Sequence, residues 1–347
     1  MAKRGAFEIG GHAVAPGARQ TVELPVSVMS DHTPVTLSVH VAHGRRPGPR
    51  LFVSAAVHGD EINGVEIARR LMRAPQLKTL KGTLLVTPIV NTFGFIARSR
   101  YLPDRRDLNR TFPGSPGGSL AARLANLFMT EIVAGSDLGI DLHSAAIHRT
   151  NLPQIRVSPS TERTMELADA FDAPLILTAP VREGSLRGAA QDEGVDVLLY
   201  EAGEGLRFGE TGVRAGVTGI LRVMHALGMI PAKGINRPKA TPAKASRSRW
   251  LRAPAGGLFR AFKTTGDFVE EGTILGVVSD PFGEVGKDLH APMSGLVIGR
   301  TNLPVVNEGD GLVHIADISA AEHSEAAIGE LEEQFAGDPL FDEDEII

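Results

Sequence analysis

Two short segments of the sequence place metal-binding side chains directly after apolar runs. The first is Val57-His58-Gly59-Asp60-Glu61 and the second is Ile140-Asp141-Leu142-His143-Ser144. Two imidazoles and one carboxylate form the protein ligand set of many catalytic zinc sites, in which water takes the fourth position. His58, Glu61 and His143 are therefore predicted to bind one metal ion at a sheet edge. The alternative for the first segment is a helix cap beside an incidental histidine.

The chain contains no cysteine, and this restricts the kinds of metal site and catalysis that it can have. Its 347 residues include 11 His and 41 Asp and Glu residues. A cysteine-free chain has no disulfide, no thiolate nucleophile, no iron–sulfur cluster and no Cys-ligated zinc. Any metal must therefore bind to histidine or carboxylate side chains. Such a ligand set favours zinc but also accepts other first-row ions.

A third segment, residues 98–114, is rich in arginine and is predicted to be a loop. Its first thirteen residues include five arginines, and proline and glycine are interleaved with them. Its Tyr, Leu and Phe residues predict that the loop packs against the protein. Guanidinium groups held in this way can bind a carboxylate through paired hydrogen bonds or stabilise an oxyanion. The alternative is a solvated surface loop.

A fourth segment offers a carboxylate that could act as a general base. In Leu199-Tyr200-Glu201-Ala202-Gly203-Glu204-Gly205, a predicted apolar strand ends at Tyr200, directly before Glu201. A zinc hydrolase needs a glutamate that does not bind the metal, to accept a proton from the attacking water and pass it to the leaving amine. Glu201 is better placed than Glu204 because it comes first after the strand. The alternative is that it caps the following helix.

Predicted strands alternate with predicted helices between about residues 50 and 227. Apolar runs at 50–57, 83–90 and 138–142 predict strands, and the helical spacing of 62–72 predicts a helix. This alternation is typical of an α/β fold with a mixed, mostly parallel sheet that helices cover on both faces. Sites in such sheets form at the carboxyl ends of strands. Three of the four segments follow a predicted strand.

The composition changes at residues 231–249, which contain six basic residues, no acidic residue and almost nothing to bury. This predicts a linker between two domains. Residues 1–230 would then form the first domain, which carries all four segments and is expected to be a zinc hydrolase domain. Residues 250–318 show only short strands punctuated by glycine, which predicts a small all-β domain. For residues 319–347 the prediction is a helix followed by an acidic tail.

The charge distribution predicts the kind of partner. All 36 Lys and Arg residues lie at or before Arg300, so the main body of the chain is positively charged and suits a small anionic substrate. Scattered basic residues and an aromatic content of 5% predict no nucleic-acid binding. No apolar stretch approaches the ~20 residues of a membrane helix. Without a recognisable secretion signal, the expected location is the cytoplasm. The sequence leaves open whether the chain forms a homo-oligomer.

Taken together, the four segments resemble the succinylglutamate desuccinylase/aspartoacylase family, a branch of the zinc-carboxypeptidase-like fold. The matching motifs are His-Gly-Asp-Glu at 58–61, Asp-Leu-Asn-Arg-Thr-Phe-Pro-Gly at 107–114, Asp-Leu-His at 141–143 and Glu-Ala-Gly-Glu-Gly at 201–205. They occur in the family's order. The resemblance implies that His58, Glu61 and His143 bind zinc, with one ion per chain, and that Glu201 is the general base and acid.

The resemblance also implies roles for residues that contact the substrate. Asn109 and Arg110 would hold the substrate's carboxylate. An arginine upstream of them would polarise the scissile carbonyl, and Arg100 is the best match, with Arg105 as the competitor. Arg187 would correspond to a second substrate-binding arginine.

The small all-β domain resembles a biotinyl/lipoyl-like barrel. The matching residues are Gly266-Asp267-Phe268-Val269 and Ala291-Pro292-Met293-Ser294-Gly295. Carrier domains of this type bear a modified lysine at a central hairpin turn. The corresponding turn, residues 280–283, has no lysine, and Lys287 lies beyond it. The domain is therefore expected to close over the active site or to mediate assembly.

With these residues, the resemblance implies a zinc-dependent amide hydrolase that removes an acetyl or succinyl group from an N-acyl amino acid or diamino acid. Within the family, the sequence looks closer to the broad bacterial branch that includes N-acetyl-diaminobutyrate deacetylases. Two alternatives stay open. One is a metallocarboxypeptidase that acts on short peptides, and the other is a non-catalytic ligand-binding or carrier protein.

Overall fold

The apolar runs of the sequence form the strands of one large sheet. The computed structural model describes residues 4–159, 161–237 and 241–319. Their α-helices are α1 (Asn63–Arg73), α2 (Thr92–Ala97), α3 (Leu120–Phe128), α4 (Glu162–Phe171), α5 (Leu186–Asp192) and α6 (Glu210–Ala226). Their strands are β1 (Phe7–Ile9), β2 (His12–Val14), β3 (Arg19–Val28), β4 (Pro34–His43), β5 (Arg46–Ala55), β6 (Lys81–Thr87), β7 (Leu138–His143), β8 (Arg149–Val157), β9 (Leu175–Thr178), β10 (Val197–Gly203), β11 (Ala243–Ala245), β12 (Ser248–Arg252), β13 (Gly257–Ala261), β14 (Phe268–Val269), β15 (Ile274–Ser279), β16 (Gly286–His290), β17 (Gly295–Thr301), β18 (Val305–Val306) and β19 (Gly311–Ala316).

The large sheet is mixed, and its centre is parallel. Its strand order is β12-β19-β17-β8-β10-β7-β5-β6-β4-β3, with β9, β11 and β14 paired beside this path. Strands β10, β7, β5 and β6 run parallel to one another. Strand β8 is antiparallel to β10, and so are β4 to β6 and β3 to β4. The predicted α/β fold with a mixed, mostly parallel sheet is confirmed.

Helices cover both faces of the sheet and explain why its central strands are apolar throughout. Helices α1, α4 and α6 supply one hydrophobic core, and α3 and α5 supply the other. In β5, Leu51 and Val53 face the first core whereas Phe52 faces the second. A strand buried on both faces needs no polar alternation. None of the helices in the described part of the chain is long and apolar enough to cross a lipid bilayer.

Strands β12–β19, which we call the β module, form the predicted all-β region, and they pair antiparallel to one another. Strands β13, β15, β16 and β18 make a separate four-stranded sheet, while β12, β14, β17 and β19 extend the large sheet. The two layers enclose one small core that includes Leu251, Phe259 and Val297. The β module therefore joins the α/β part of the molecule through a continuous sheet, by the pairing of β17 with β8.

The stretch predicted as a linker contains a strand. Residues 243–245 form β11, which pairs parallel to β9, and Ala243 and Ala245 are buried against Leu175 and Leu177. The expectation that this stretch buries almost nothing is wrong here, because small alanine side chains fit a neighbouring apolar strand despite the basic composition. The division into domains stays a prediction. The predicted helix at 320–335 and the acidic tail lie outside the described residues.

A close approach of two glycines fixes the loop that carries the first histidine. A Cβ atom placed on Gly59 would lie 1.9 Å from the carbonyl carbon of Gly94 in α2. The Asn91 side chain caps this helix by accepting a hydrogen bond from the Gly94 amide at 2.8 Å. The backbone of α2 is thus held against the loop, so neither segment can move easily.

We expect Gly59→Ala to destabilise the protein by about 2 kcal/mol or more, because the added methyl group overlaps backbone atoms in a well-packed region. Urea unfolding followed by circular dichroism measures the change. Gly117→Ala is the matched control, since no atom lies within 4 Å of its Cβ position. The control should stay within roughly 0.5 kcal/mol of the wild type. Equal stability of the two variants would contradict the packing argument.

Candidate active site

Three adjacent parallel strands bring the predicted site residues to one edge of the sheet. His58 follows β5, His143 is the last residue of β7, and Glu201 lies in β10. Because β5, β7 and β10 run in the same direction, their carboxyl ends meet. Glu201 is the direct register partner of His143. The sheet topology thus unites residues that are far apart in the sequence.

His58, Glu61 and His143 form a compact buried cluster. The Nδ1 atoms of His58 and His143 each donate to a different oxygen of Glu61, both at 2.7 Å. One ligand atom from each of the three residues lies within 4.8 Å of the others. The backbone amide of Ser144 also donates to Glu61, at 3.1 Å. The cluster therefore offers two imidazole nitrogens and one carboxylate to a common point.

Carboxylates behind the two histidines fix the orientation of their rings. His58 Nε2 donates to Asp107 at 3.1 Å, and His143 Nε2 donates to Asp141 at 2.7 Å. Asp141 also accepts a hydrogen bond from the hydroxyl of Ser54 at 2.7 Å. Metal-binding histidines characteristically donate their other ring N–H to such a carboxylate. The Nδ1 atoms are thereby directed at Glu61.

The electrostatics of the cluster favour positive charge at this point. Burial alone would lower the pKa of His58 and of His143, but the surrounding carboxylates raise the pKa of both rings above the ordinary value. Burial would raise the pKa of Glu61, and the two histidines instead hold it well below its usual range. The donor set and the electrostatics both fit a divalent cation, which would take the place of the two Nδ1 protons.

Arg100 is tied to this cluster, whereas Arg105 is not. Arg100 donates to Asp107 through Nε at 3.1 Å and through a terminal nitrogen at 3.0 Å, and its other terminal nitrogen donates to Glu61 at 3.3 Å. Arg105 is exposed in a tight turn between Leu102 and Arg106 and does not line the site. Of the two competing arginines, Arg100 is the one beside the predicted ligands.

Glu201 is held by side chains of the neighbouring strand β8. Asn151 donates to its Oε2 atom at 2.9 Å, and a terminal nitrogen of Arg156 lies 3.6 Å from its Oε1 atom. Helix α6 begins nine residues later and is preceded by Gly209, so Glu201 does not cap it. Glu204 instead accepts hydrogen bonds from His148 and Asn302 and is absent from the cavity wall.

A cavity of about 530 Å³ connects the cluster of His58, Glu61 and His143 to Glu201. Asn109 lies in its wall, and its side-chain oxygen accepts a hydrogen bond from the Leu186 amide at 2.9 Å. Two acidic residues, Glu61 and Glu201, line the cavity. Six arginines line the same cavity: Arg100, Arg110, Arg149, Arg156, Arg182 and Arg187. The excess of positive charge suits an anionic ligand.

Arg187 offers this cavity a buried hydrogen-bond donor. One of its terminal nitrogens donates weakly to the carbonyls of Ala179 and Pro180, at 3.5 and 3.3 Å. The other is buried and has no hydrogen-bond partner among the described residues. Burial and the nearby Arg156 lower the pKa of Arg187 to about 10, so it remains cationic at neutral pH. An unpaired buried guanidinium nitrogen is costly unless a ligand pairs with it.

Strand β8 and the β module contribute a part of the cavity wall that the sequence did not predict. Asn151 and Arg156 come from β8, and Ser248, Trp250 and His314 come from the β module. The rings of Trp250 and His314 stack with centroids 4.7 Å apart. Burial lowers the pKa of His314 to about 3, so its ring is neutral. No local motif marks these residues, because strand pairing alone brings them to the cavity.

Comparisons with known proteins find one family model and a curated relative. The sequence model described as the succinylglutamate desuccinylase/aspartoacylase catalytic domain matches residues 47–227. A curated relative, the N-alpha-acetyl-L-2,4-diaminobutyric acid deacetylase of Halomonas elongata, is 25% identical over 286 residues, which are 79% of this chain and 84% of that protein.

Solved structures share the fold over most of the chain. A succinylglutamate desuccinylase/aspartoacylase from Rhodobacter sphaeroides has a TM-score of 0.78 at 24% identity, covering 87% of this chain and 95% of the other. The product-bound ectoine utilization protein EutE (DoeB) from Ruegeria pomeroyi has a TM-score of 0.77 at 23% identity, covering 86% and 94%. Both similarities extend beyond the catalytic domain into the β module.

Proposed function

Because the chain belongs to the succinylglutamate desuccinylase/aspartoacylase family, we propose that it is a zinc-dependent deacylase that cleaves the amide bond of an N-acyl amino acid or diamino acid. The observation that carries the proposal is the buried cluster of His58, Glu61 and His143, in which both rings are backed by carboxylates. The activity that gives the Halomonas relative its name makes N-acetyl-2,4-diaminobutyrate the first substrate to test.

In the proposed mechanism, the residues of the chain bind the substrate and move a proton. A zinc ion held by the cluster would act as a Lewis acid and lower the pKa of water. Glu201 accepts a proton from the attacking water and delivers it to the nitrogen of the leaving amine. Arg100 donates hydrogen bonds to the oxyanion that forms from the amide carbonyl. The products are a carboxylic acid and a free amine.

The arginines of the cavity give the substrate its orientation in this proposal. Asn109 and Arg110 hold the carboxylate of the amino acid, and the unpaired nitrogen of Arg187 pairs with an acceptor of the substrate. Such charge-assisted hydrogen bonds are short and directional. They place the amide carbonyl beside Arg100 and the metal-binding cluster. Because the substrate is already held in this position, less translational and rotational entropy is lost on reaching the transition state.

A substrate panel tests the proposed function against peptide hydrolysis. Purified protein of known zinc content is assayed for amine release from N-acetyl and N-succinyl amino acids and diamino acids, and from dipeptides. We expect hydrolysis of at least one N-acyl amino acid and no turnover of dipeptides. Robust dipeptide hydrolysis without any release from the N-acyl compounds would identify a carboxypeptidase instead.

Arg100→Ala should lower kcat by roughly 10²-fold to 10³-fold, which is the usual effect of removing one oxyanion donor. Steady-state kinetics on the hydrolysed substrate measures the change. Arg105→Ala is the matched control, because this arginine is exposed and lies outside the cavity. If the Arg105 variant lost activity and the Arg100 variant kept it, the assignment of the two arginines would have to be reversed.

A further inference from the structure

The β module borders the catalytic strands through β17, and we propose that this contact sets the orientation of Glu201 through Asn151 of β8. Asn151 is then a positioning residue, and Gly299 of β17 is the point at which the β module acts on it. The inference rests on the role of Glu201 proposed above. It gives the β module a part in catalysis that requires no carrier lysine.

Strand pairing places the residues concerned in one row across the sheet. Asn151 of β8 is the register partner of Gly203 in β10 on one side and of Gly299 in β17 on the other. Gly299 is in turn the partner of His314 in β19. The pairing of β10 with β8 shifts register between Glu201 and Gly203, because two steps along β10 oppose the three steps from Gln154 to Asn151 along β8. Such a bulge redirects the side chains beside it. Here the shift brings Glu201 within reach of Asn151.

The contact between Asn151 and Glu201 selects one carboxylate oxygen. Asn151 is 7% exposed, and its side-chain nitrogen donates to Glu201 Oε2 at 2.9 Å. An amide does not titrate, so it donates whether or not the carboxylate carries a proton. Because Oε2 accepts this short bond, we assign the proton transfer to Oε1, whose nearest charged partner is the more distant Arg156 nitrogen at 3.6 Å. Loss of this bond would allow the carboxylate to rotate.

Gly299 leaves Asn151 just enough room for this bond. A Cβ atom at position 299 would lie 2.9 Å from the side-chain oxygen of Asn151 and 3.4 Å from the Cβ of His314. Because Asn151 is buried and its nitrogen is committed to Glu201, its side chain cannot move away without disturbing that bond. The side-chain nitrogen of Gln154 also donates to the Ile298 carbonyl at 3.3 Å, which ties β17 to β8 beside this point.

A double-mutant cycle tests whether Gly299 acts through Asn151. We expect Gly299→Ala and Asn151→Ala each to lower kcat roughly tenfold to a hundredfold with KM nearly unchanged, the effect of a misplaced catalytic group. In the Asn151→Ala background, Gly299→Ala should have no further effect on kcat. Asn151→Asp, which keeps the shape but loses the donor, should lower kcat at least as much as Asn151→Ala. Zinc content should stay at the wild-type value in every variant.

Gly286→Ala is the matched control, because it also lies in the β module and its Cβ would make only ordinary contacts, the nearest at 3.4 Å. It should keep the wild-type kcat. Equal losses from Gly299→Ala in the two backgrounds, or no loss at all, would overturn the proposed route through Asn151.

A crystal structure of the Gly299→Ala variant separates this inference from the proposed function, because it needs no activity. We expect the side-chain nitrogen of Asn151 to have moved beyond hydrogen-bonding distance of Glu201. If the contact stays at its present length, the inference fails even if the enzyme is a deacylase. If the contact breaks but the wild-type protein hydrolyses no N-acyl amino acid, the coupling stands and the proposed function fails.

Discussion

Replacing Glu201 by glutamine should lower kcat by roughly 10²-fold to 10⁴-fold, which is the usual contribution of a positioned general acid–base group. Glutamine has nearly the same shape but cannot accept a proton from the attacking water. The hydrogen bond from Asn151 can persist to the amide oxygen, so the fold should not change. Steady-state kinetics and zinc analysis of the same preparation measure the two effects, and the zinc content should equal that of the wild type.

Glu204→Gln is the control for this substitution. Glu204 lies three residues later in the same segment, but it bonds to His148 and Asn302 and does not line the cavity. The kcat of the Glu204→Gln variant should stay within about threefold of the wild type, because the hydrogen bonds of Glu204 connect surface segments and do not reach the cavity. Unaffected hydrolysis by the Glu201 variant, with zinc retained, would remove Glu201 from the mechanism.

Replacing His143 by alanine should remove both zinc and activity. The substitution deletes one of the three proposed protein ligands and leaves Glu61 and Asp141 without a partner that each of them contacts at 2.7 Å. A Lewis acid contributes several kcal/mol to transition-state stabilisation, so its loss should lower the rate by roughly a thousandfold or more. Zinc bound per chain, measured by elemental analysis after gel filtration, should fall to near zero.

His148→Ala is the control, because this histidine lies five residues later in an exposed position and is not part of the buried cluster. Its zinc content and kcat should match the wild type. Circular dichroism on both variants shows whether they are folded. A folded His143 variant that kept full zinc would mean that the metal binds elsewhere.

The central strands could be predicted from the sequence because each is a run of apolar residues with a clear end. Strand β5 is an example, since its buried half precedes His58 directly. Strand β9 and the first half of β8 were missed. The segment Arg149–Pro153 contains Arg, Thr, Asn and Pro, and it is extended because its partner β17 lies more than 140 residues away. Local residue preferences carry no record of such a partner.

The same distinction applies to the site. The meeting of His58, Glu61 and His143 at one point was predictable, because the carboxyl ends of parallel strands meet wherever the strands lie in the sequence. Asn151, Arg156 and the residues of the β module were not, since their place in the cavity depends on the register of β8, β17 and β19. The sequence also could not show which of Arg100 and Arg105 lies beside the cluster, because this depends on a turn that leaves Arg105 exposed.

The most direct test of a zinc-dependent deacylase is a titration of metal-free protein with zinc. The protein is treated with a chelator and freed of it, and the initial rate of amine release is then measured with the best N-acyl amino acid of the panel as zinc is added. We predict almost no rate without metal, a linear rise, and saturation at one zinc per chain. Full activity of the metal-free protein, or no activity at any zinc concentration, would contradict the account.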